Sequence, residues 1–171
     1  MDFFTTIAQR YSHRTAYLPI AIPDEDLAKI VDAGIRAPSG CNAQTTNFII
    51  VINPILKAEI AKLFNSEAVN TAPAIIVAHT EKVTFDFGLD FELEDYGAAI
   101  ENILLAATAL GYASLWLDGG TRLNGTDAAL AKILDLPKER QVRTIMPIGI
   151  PKTPGKQAPR KPEAERVQWK R

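Results

Sequence analysis

Pro73-Ala74-Ile75-Ile76-Val77-Ala78-His79 is apolar at every position between the proline and the histidine. A strand exposed on one side alternates apolar and polar residues, whereas one covered on both faces has no need to. The stretch therefore reads as the central strand of a layered fold. The next long segment, Glu92–Leu110, has helical spacing and closes on Gly111, where helices commonly end in a left-handed residue. Its Ala98, Ala99, Ala106, Ala107 and Ala109 keep this helix thin, so a second helix or a flat ligand can approach closely.

Working outward, Asp2 can cap a first helix whose Phe3, Phe4, Ile7 and Ala8 share a face. Ile22-Pro23-Asp24-Glu25-Asp26 starts a second helix, with acids at the positive end of its dipole. Leu27, Ile30, Val31 and Ile35 form its apolar stripe, which stops at Ala37-Pro38-Ser39-Gly40. Thr45–Ile52, Tyr112–Leu117 and Arg140–Ile150 are predicted strands, and Pro54–Phe64 is a predicted helix. Asp118-Gly119-Gly120 is a predicted sharp turn, followed by a short helix capped by Thr126 or Asp127. Pro151, Pro154, Pro159 and Pro162 make residues 151–171 an extended arm. Without an internal repeat or an interdomain linker, residues 1–171 are expected to form one α/β or α+β domain, with the sheet covered on both faces.

A lone Cys41 excludes an internal disulfide. No apolar run is long enough to span a bilayer, and Met1-Asp2-Phe3 lacks the basic start of a signal peptide. The expectation is a soluble cytoplasmic protein with no membrane partner. The net charge of −1 conceals an asymmetry: residues 151–171 hold seven bases and two acids, +5, and the preceding residues sum to −6. Such an arm suits nucleic acid, an acidic protein surface or a phosphate; a solvated, frayed terminus is the simpler alternative.

Several chemistries lack a foothold. There is no G-x-G and no phosphate-loop lysine motif, and Gly119–Gly125 resembles such a loop only superficially. One cysteine and two distant histidines make no zinc site, and no G-x-S-x-G is present. Asp90, Glu92, Glu94 and Asp95 are read as answering a helix dipole rather than as a catalytic pair. His13 is expected to face solvent, His79 to be a hydrogen-bonded structural residue, and Cys41 to be a small buried hydrophobe.

What remains suits an anion and a flat polar ring. Arg10-Tyr11-Ser12-His13-Arg14 sets two guanidinium groups and a hydroxyl near a helix end, and Arg offers forked donors to phosphate. Pro38-Ser39-Gly40-Cys41-Asn42-Ala43-Gln44 can present polar side chains to a heterocycle edge. Gly119-Gly120 leaves backbone N–H groups open to a ligand.

In this order the pieces resemble the FMN-dependent nitroreductase family. The resemblance rests on Arg10, Ser12 and Arg14 (an R-R-S-x-R-like box), and on Ala37, Pro38, Ser39, Gly40, Asn42 and Gln44 (A-P-S-G-x-N-x-Q). It continues through the strand led by Ala72-Pro73, the helix ending Ala107–Gly111, Trp116 with Gly119-Gly120, and Gly149, Pro151 and Arg160–Glu163. It implies an α+β fold, a three-layer α/β/α arrangement around a central mixed sheet, with the arm crossing to a partner subunit. It also implies a homodimer with FMN at the interface and NADH or NADPH as reductant.

By the same resemblance, Arg10, Ser12, Arg14 and Arg160 of one subunit would hold the phosphate and pyrimidine side, with Tyr11 contributing backbone only. Pro38, Ser39, Asn42 and Gln44 belong to the loop that would approach from the other subunit. Asn65 would touch the ring edge, and Gly119 and Gly120 the redox-active N5. The chain departs from the family pattern at Tyr11, at Thr45-Thr46, and at Ala68, where a lysine is common. The implied activity is hydride transfer from NAD(P)H through FMN to a nitroaromatic or quinone. A flavin-binding or flavin-transforming protein without that activity is the alternative. A nucleic-acid-binding structural domain is more distant, since only Trp169-Lys170-Arg171 interleaves aromatic and basic residues.

Overall fold

The computed structural model describes residues 1–171. Its helices are α1 (Phe3–Gln9), α2 (Asp24–Ile35), α3 (Pro54–Ala61), α4 (Glu67–Thr71), α5 (Glu92–Ala109), α6 (Asp118–Arg122) and α7 (Thr126–Ile133). Its strands are β1 (Thr46–Val51), β2 (Ala74–Glu81), β3 (Ala113–Ser114) and β4 (Arg140–Gly149), in the sheet order β1-β2-β4-β3. No helix is long and apolar enough to cross a membrane.

The quoted stretch is β2, and it is central. Ile75 and Val77 face a cluster containing Ile60, Val69 and Leu130 from α3, α4 and α7. Ala74, Ile76 and Ala78 face Leu27, Ile30, Ile100 and Ile103 from α2 and α5. Period-two alternation thus sends successive side chains into two different cores, which is why no position is polar. This is the α+β, three-layer architecture implied above. The strands all pair antiparallel, and the parallel pairing of a mixed sheet is confined to one bridge between Ser12 and Ser114.

Helices α2 and α5 do approach closely, through the missing side chain of a glycine in α2. A Cβ added at Gly34 of α2 would lie 2.8 Å from the Ile103 side chain of α5, so the two helices meet almost backbone to side chain. A bulge at Ala78/His79 leaves Arg143 out of the β2–β4 register. Arg143 pairs with Glu92 at the start of α5 and donates through Nε to Thr80 Oγ1 at 2.8 Å. Glu92 is buried and also accepts from Thr80 Oγ1 at 3.2 Å. Its main work is therefore this buried ion pair, beyond any service to the helix dipole.

Local expectations shift in three places. The third predicted strand shrinks to Ala113–Ser114, because Leu117 makes only an isolated bridge to Ile145. Asp118-Gly119-Gly120 is the first turn of α6 rather than a sharp turn. Gly125 at φ 72°, and neither Thr126 nor Asp127, is the N-cap of α7. Asp2 does cap α1 by accepting from Thr5 N at 3.1 Å.

Candidate functional site

The Arg10 segment lies beside β3, at one edge of the sheet. Arg10 is the C-cap of α1, and its Nε is buried without a hydrogen-bond partner, 3.5 Å from Glu101 Oε1 of α5. Ser12 bridges Ser114, and His13 N donates to Ser114 O at 2.9 Å. His13 is buried, contrary to the expected solvent-facing position: its ring packs 4.6 Å from that of Tyr17, and Nε2 lies 3.1 Å from Ala16 O. The alternation set by the β3 bridge turns His13 inward and leaves Arg14 exposed. An open cleft of about 430 Å³ lies here, lined by Ser12, Arg14, Thr15, Thr153, Gly155 and Lys156 among others.

Tyr11 contributes more than backbone. A Cβ at Gly155 would lie 2.4 Å from Tyr11 Cε2, so the ring rests directly on the root of the C-terminal arm. Gln157 Nε2 donates to Ile7 O and Arg10 O, each at 3.0 Å. The proximal arm therefore docks on its own chain. Arg160 lies beyond this anchor, exposed, with Nη1 donating to Ala158 O at 3.3 Å.

The Pro38–Gln44 loop enters β1 at the opposite sheet edge, three strand spacings or about 14 Å away. Asp95 of α5 holds it: Gly40 N donates to Oδ1 at 2.8 Å and Thr45 Oγ1 to Oδ2 at 3.4 Å. Gln44 N donates to Ser39 Oγ at 3.1 Å. Gly40 lies against the Phe91 ring, where a Cβ would come within 2.3 Å of Cδ2. Cys41, Asn42 and Gln44 have φ of 51°, 55° and 52°, left-handed conformations that cost non-glycine residues energy and cluster at functional loops. Cys41 is exposed rather than buried, because this turn carries its side chain outward. A cavity of about 340 Å³ lies behind the loop, lined by Ile35, Pro38, Ser39, Gln44, Phe48 and Asp95 among others.

Asn65 and the glycines are brought together. A Cβ at Gly120 would lie 3.3 Å from Phe64 Cε1, next to exposed Asn65, whereas one at Gly119 would meet nothing within 4 Å. Gly119 is thus the open member of the pair. Arg122 Nε pairs with Asp118 Oδ2 at 2.9 Å, and Tyr96 OH donates to Asp118 Oδ1 at 2.7 Å while accepting from Arg122 Nη2 at 3.1 Å. This network pins a one-turn helix containing two poor helix formers. Burial, then the Asp118 hydrogen bond, raises the Tyr96 phenol above its ordinary range. Ala68 is fully buried, so the position where the family carries a lysine belongs to the core here.

Sequence reasoning missed Asp95, Tyr96, Asp118 and Gln157 as organisers of these segments. An acid in a first helical turn was the only signal Asp95 offered. His79 is buried as expected of a structural residue, yet its Nδ1 has no partner. Burial, and secondarily the Arg140 charge, lowers its pKa.

A family model described as the nitroreductase family matches residues 7–67 and 55–150. An Archaeoglobus fulgidus protein provisionally named NADH dehydrogenase/NAD(P)H nitroreductase is 35% identical over 146 residues, 83% of each chain. A Methanothermobacter thermautotrophicus protein with the same provisional name is 30% identical, over 88% of this chain and 78% of its own. A provisionally named nitroreductase from Desulfovibrio desulfuricans, solved in complex with FMN, superposes with a TM-score of 0.83 at 28% identity, over 98% of this chain and 96% of its own. With the family model matched along most of its length and a relative 35% identical over 83% of each chain, the chain belongs to the nitroreductase family.

Proposed function

We propose that the protein is a cytoplasmic homodimeric FMN oxidoreductase, taking hydride from NADH or NADPH and reducing an organic acceptor such as a nitroaromatic or quinone. The observation that carries the reading is the separation of the two candidate segments. Arg10–Arg14 lies beside β3 and Pro38–Gln44 leads into β1, at opposite edges of one sheet, a separation that favours a second subunit bringing the two kinds of segment to one ligand. The apolar face of α1 supports such a partner: Phe3 and Phe4 are 64% and 79% exposed. Family relatives named NAD(P)H nitroreductases and a relative solved with FMN point to the same chemistry.

The residues fit that cofactor. Arg10 Nε is a buried donor whose only charged neighbour, Glu101, lies at 3.5 Å, beyond a good hydrogen bond, and Gly119 offers backbone that no side chain covers. Ser12, Arg14 and Arg160 are proposed to face the phosphate and pyrimidine, with Tyr11 bracing that segment. Pro38, Ser39, Asn42 and Gln44 would come from the partner subunit, with Asn65 and Gly119-Gly120 at the ring edge. FMN, when bound, supplies the hydride-accepting and hydride-donating centre, so no side-chain acid–base pair is required. The protein positions the ring and leaves one face for donor and acceptor in turn, which gives ping-pong turnover.

The test is the visible spectrum of the purified protein. Oxidised-flavin maxima that bleach with NAD(P)H and return with menadione or nitrofurazone are the expected result. Slow, acceptor-independent loss of flavin absorbance would instead indicate flavin breakdown. A colourless protein that ignores added FMN yet binds DNA in a salt-sensitive way would indicate the nucleic-acid reading.

A further inference from the structure

Tyr96 stands on α5 with its ring in the core cluster that holds Ile100 and Ile103, edge-on to Trp116 at 6.1 Å. A phenylalanine would fill the same space. The hydroxyl is the part that packing does not require, and both of its hydrogen bonds run to α6. It donates to Asp118 Oδ1 at 2.7 Å and accepts from Arg122 Nη2 at 3.1 Å. Those partners are the first and last residues of α6, with Gly119, Gly120 and Thr121 between them.

A helix this short, with two glycines in it, does not hold itself. One turn fixes many dihedral angles for few hydrogen bonds, and glycine loses more backbone freedom than any other residue. Its shape therefore depends on ties from outside. Leu117 N donates to Ile145 O at 3.1 Å just before it, and Phe64 covers Gly120. No side chain covers Gly119, so its backbone is fixed through its neighbour Asp118. The Arg122–Asp118 pair is an i,i+4 contact whose arginine is exposed, and such pairs add little. The Tyr96 bond comes from a buried ring on another element, so it is the tie that sets where Asp118, and with it Gly119, stands.

We infer that Tyr96 is a positioning residue: through Asp118 it holds the Gly119 backbone N–H where a hydrogen-bond acceptor on the flavin edge can meet it. The inference rests on the FMN reading above, in which Gly119 faces the ring edge near N5. Fixing that group before the ligand arrives removes an ordering cost from binding. The benefit reaches only a ring that carries an acceptor at that position.

The experiment measures binding of FMN and of 5-deaza-FMN, in which a C–H replaces N5, to flavin-stripped full-length protein by fluorescence quenching. It compares wild type with Tyr96→Phe, which keeps the ring, and with Asp118→Ala, which breaks the same bond from its other end. Each variant is expected to raise the FMN Kd about three- to tenfold, the scale of one lost hydrogen bond. The 5-deaza-FMN Kd should stay within about twofold, because that ring makes no use of a positioned donor. A purely structural fault would weaken both ligands together, since they share phosphate, side chain and ring shape. Equal weakening of both, or an unchanged FMN Kd in either variant, would overturn the inference while leaving the FMN reading intact. Wild-type protein that binds neither flavin would overturn both.

Discussion

The Arg10–Thr15 segment and the Pro38–Gln44 loop present polar groups by opposite means. The first is built from ordinary backbone, braced by β3 on one side and by the arm root on the other. The second stores strain, with three non-glycine residues at positive φ, and is held by a single carboxylate, Asp95. Both grip α5, through Glu101 and Asp95. Six residues apart, these acids are about 9 Å along the axis and about 120° around it. One helix therefore serves two surfaces, and the difference teaches that polar loops of one chain can be held in place either by ordinary pairing or by a strained turn tied to a single carboxylate.

This contrast can be broken experimentally. The largest effect is expected at Arg10→Ala, which should weaken FMN binding by about 1.5–3 kcal/mol through loss of a charge-assisted hydrogen bond. An unchanged Kd by equilibrium titration would remove Arg10 from the ligand-facing set. Asp95→Ala should act on the other segment, costing about 1–3 kcal/mol of folding stability by leaving the Gly40 N–H and Thr45 hydroxyl without their acceptor. Denaturant unfolding reads this directly, and a loss below a few tenths would show that the loop holds its strained shape without α5.

A pH series sharpens the comparison further. Tyr112 OH donates to Asp26 Oδ2 at 2.7 Å on α2, the helix leading to the loop, and burial followed by that bond pushes its pKa up to about 12. Tyr17 OH donates to Pro147 O behind the Arg10 segment, and burial raises it as well. Between pH 10 and about 12 the unfolded Tyr112 has lost its proton while the folded one retains it, so stability falls as pH rises. Tyr112→Phe should flatten that part of the melting-temperature profile; a profile identical to wild type would remove Tyr112 as its cause. The smallest stability effect is expected at Gly119→Val, within about 0.5 kcal/mol because the added atoms meet open space. Flavin content should fall in that variant, and full flavin content would clear Gly119 of any close approach.

Much of this was legible beforehand because it is local. Asp2 capping α1, the acids opening α2 and the alanines of α5 each act within a few residues of themselves. Cys41 and His13 were misjudged for the complementary reason. Their burial depends on a left-handed turn and on a bridge to Ser114, a residue about a hundred positions away. Of the two glycines expected to offer open backbone, Gly120 is covered because Phe64 arrives from another element, and Gly119 stays open.

The unbroken apolar run of β2 by itself determined a strand buried on both faces, and with it the layers of helix on either side. The order of the motif boxes determined the family. Tertiary structure alone decided that the Arg10 segment and the Pro38 loop stand at opposite sheet edges, that Asp95 ties one of them, and that Gln157 anchors the arm to the end of α1 before Arg160. The physical reason is range. Periodicity and capping are set by neighbours along the chain, whereas a sheet edge, an ion pair or an anchored arm exists only once distant segments have met.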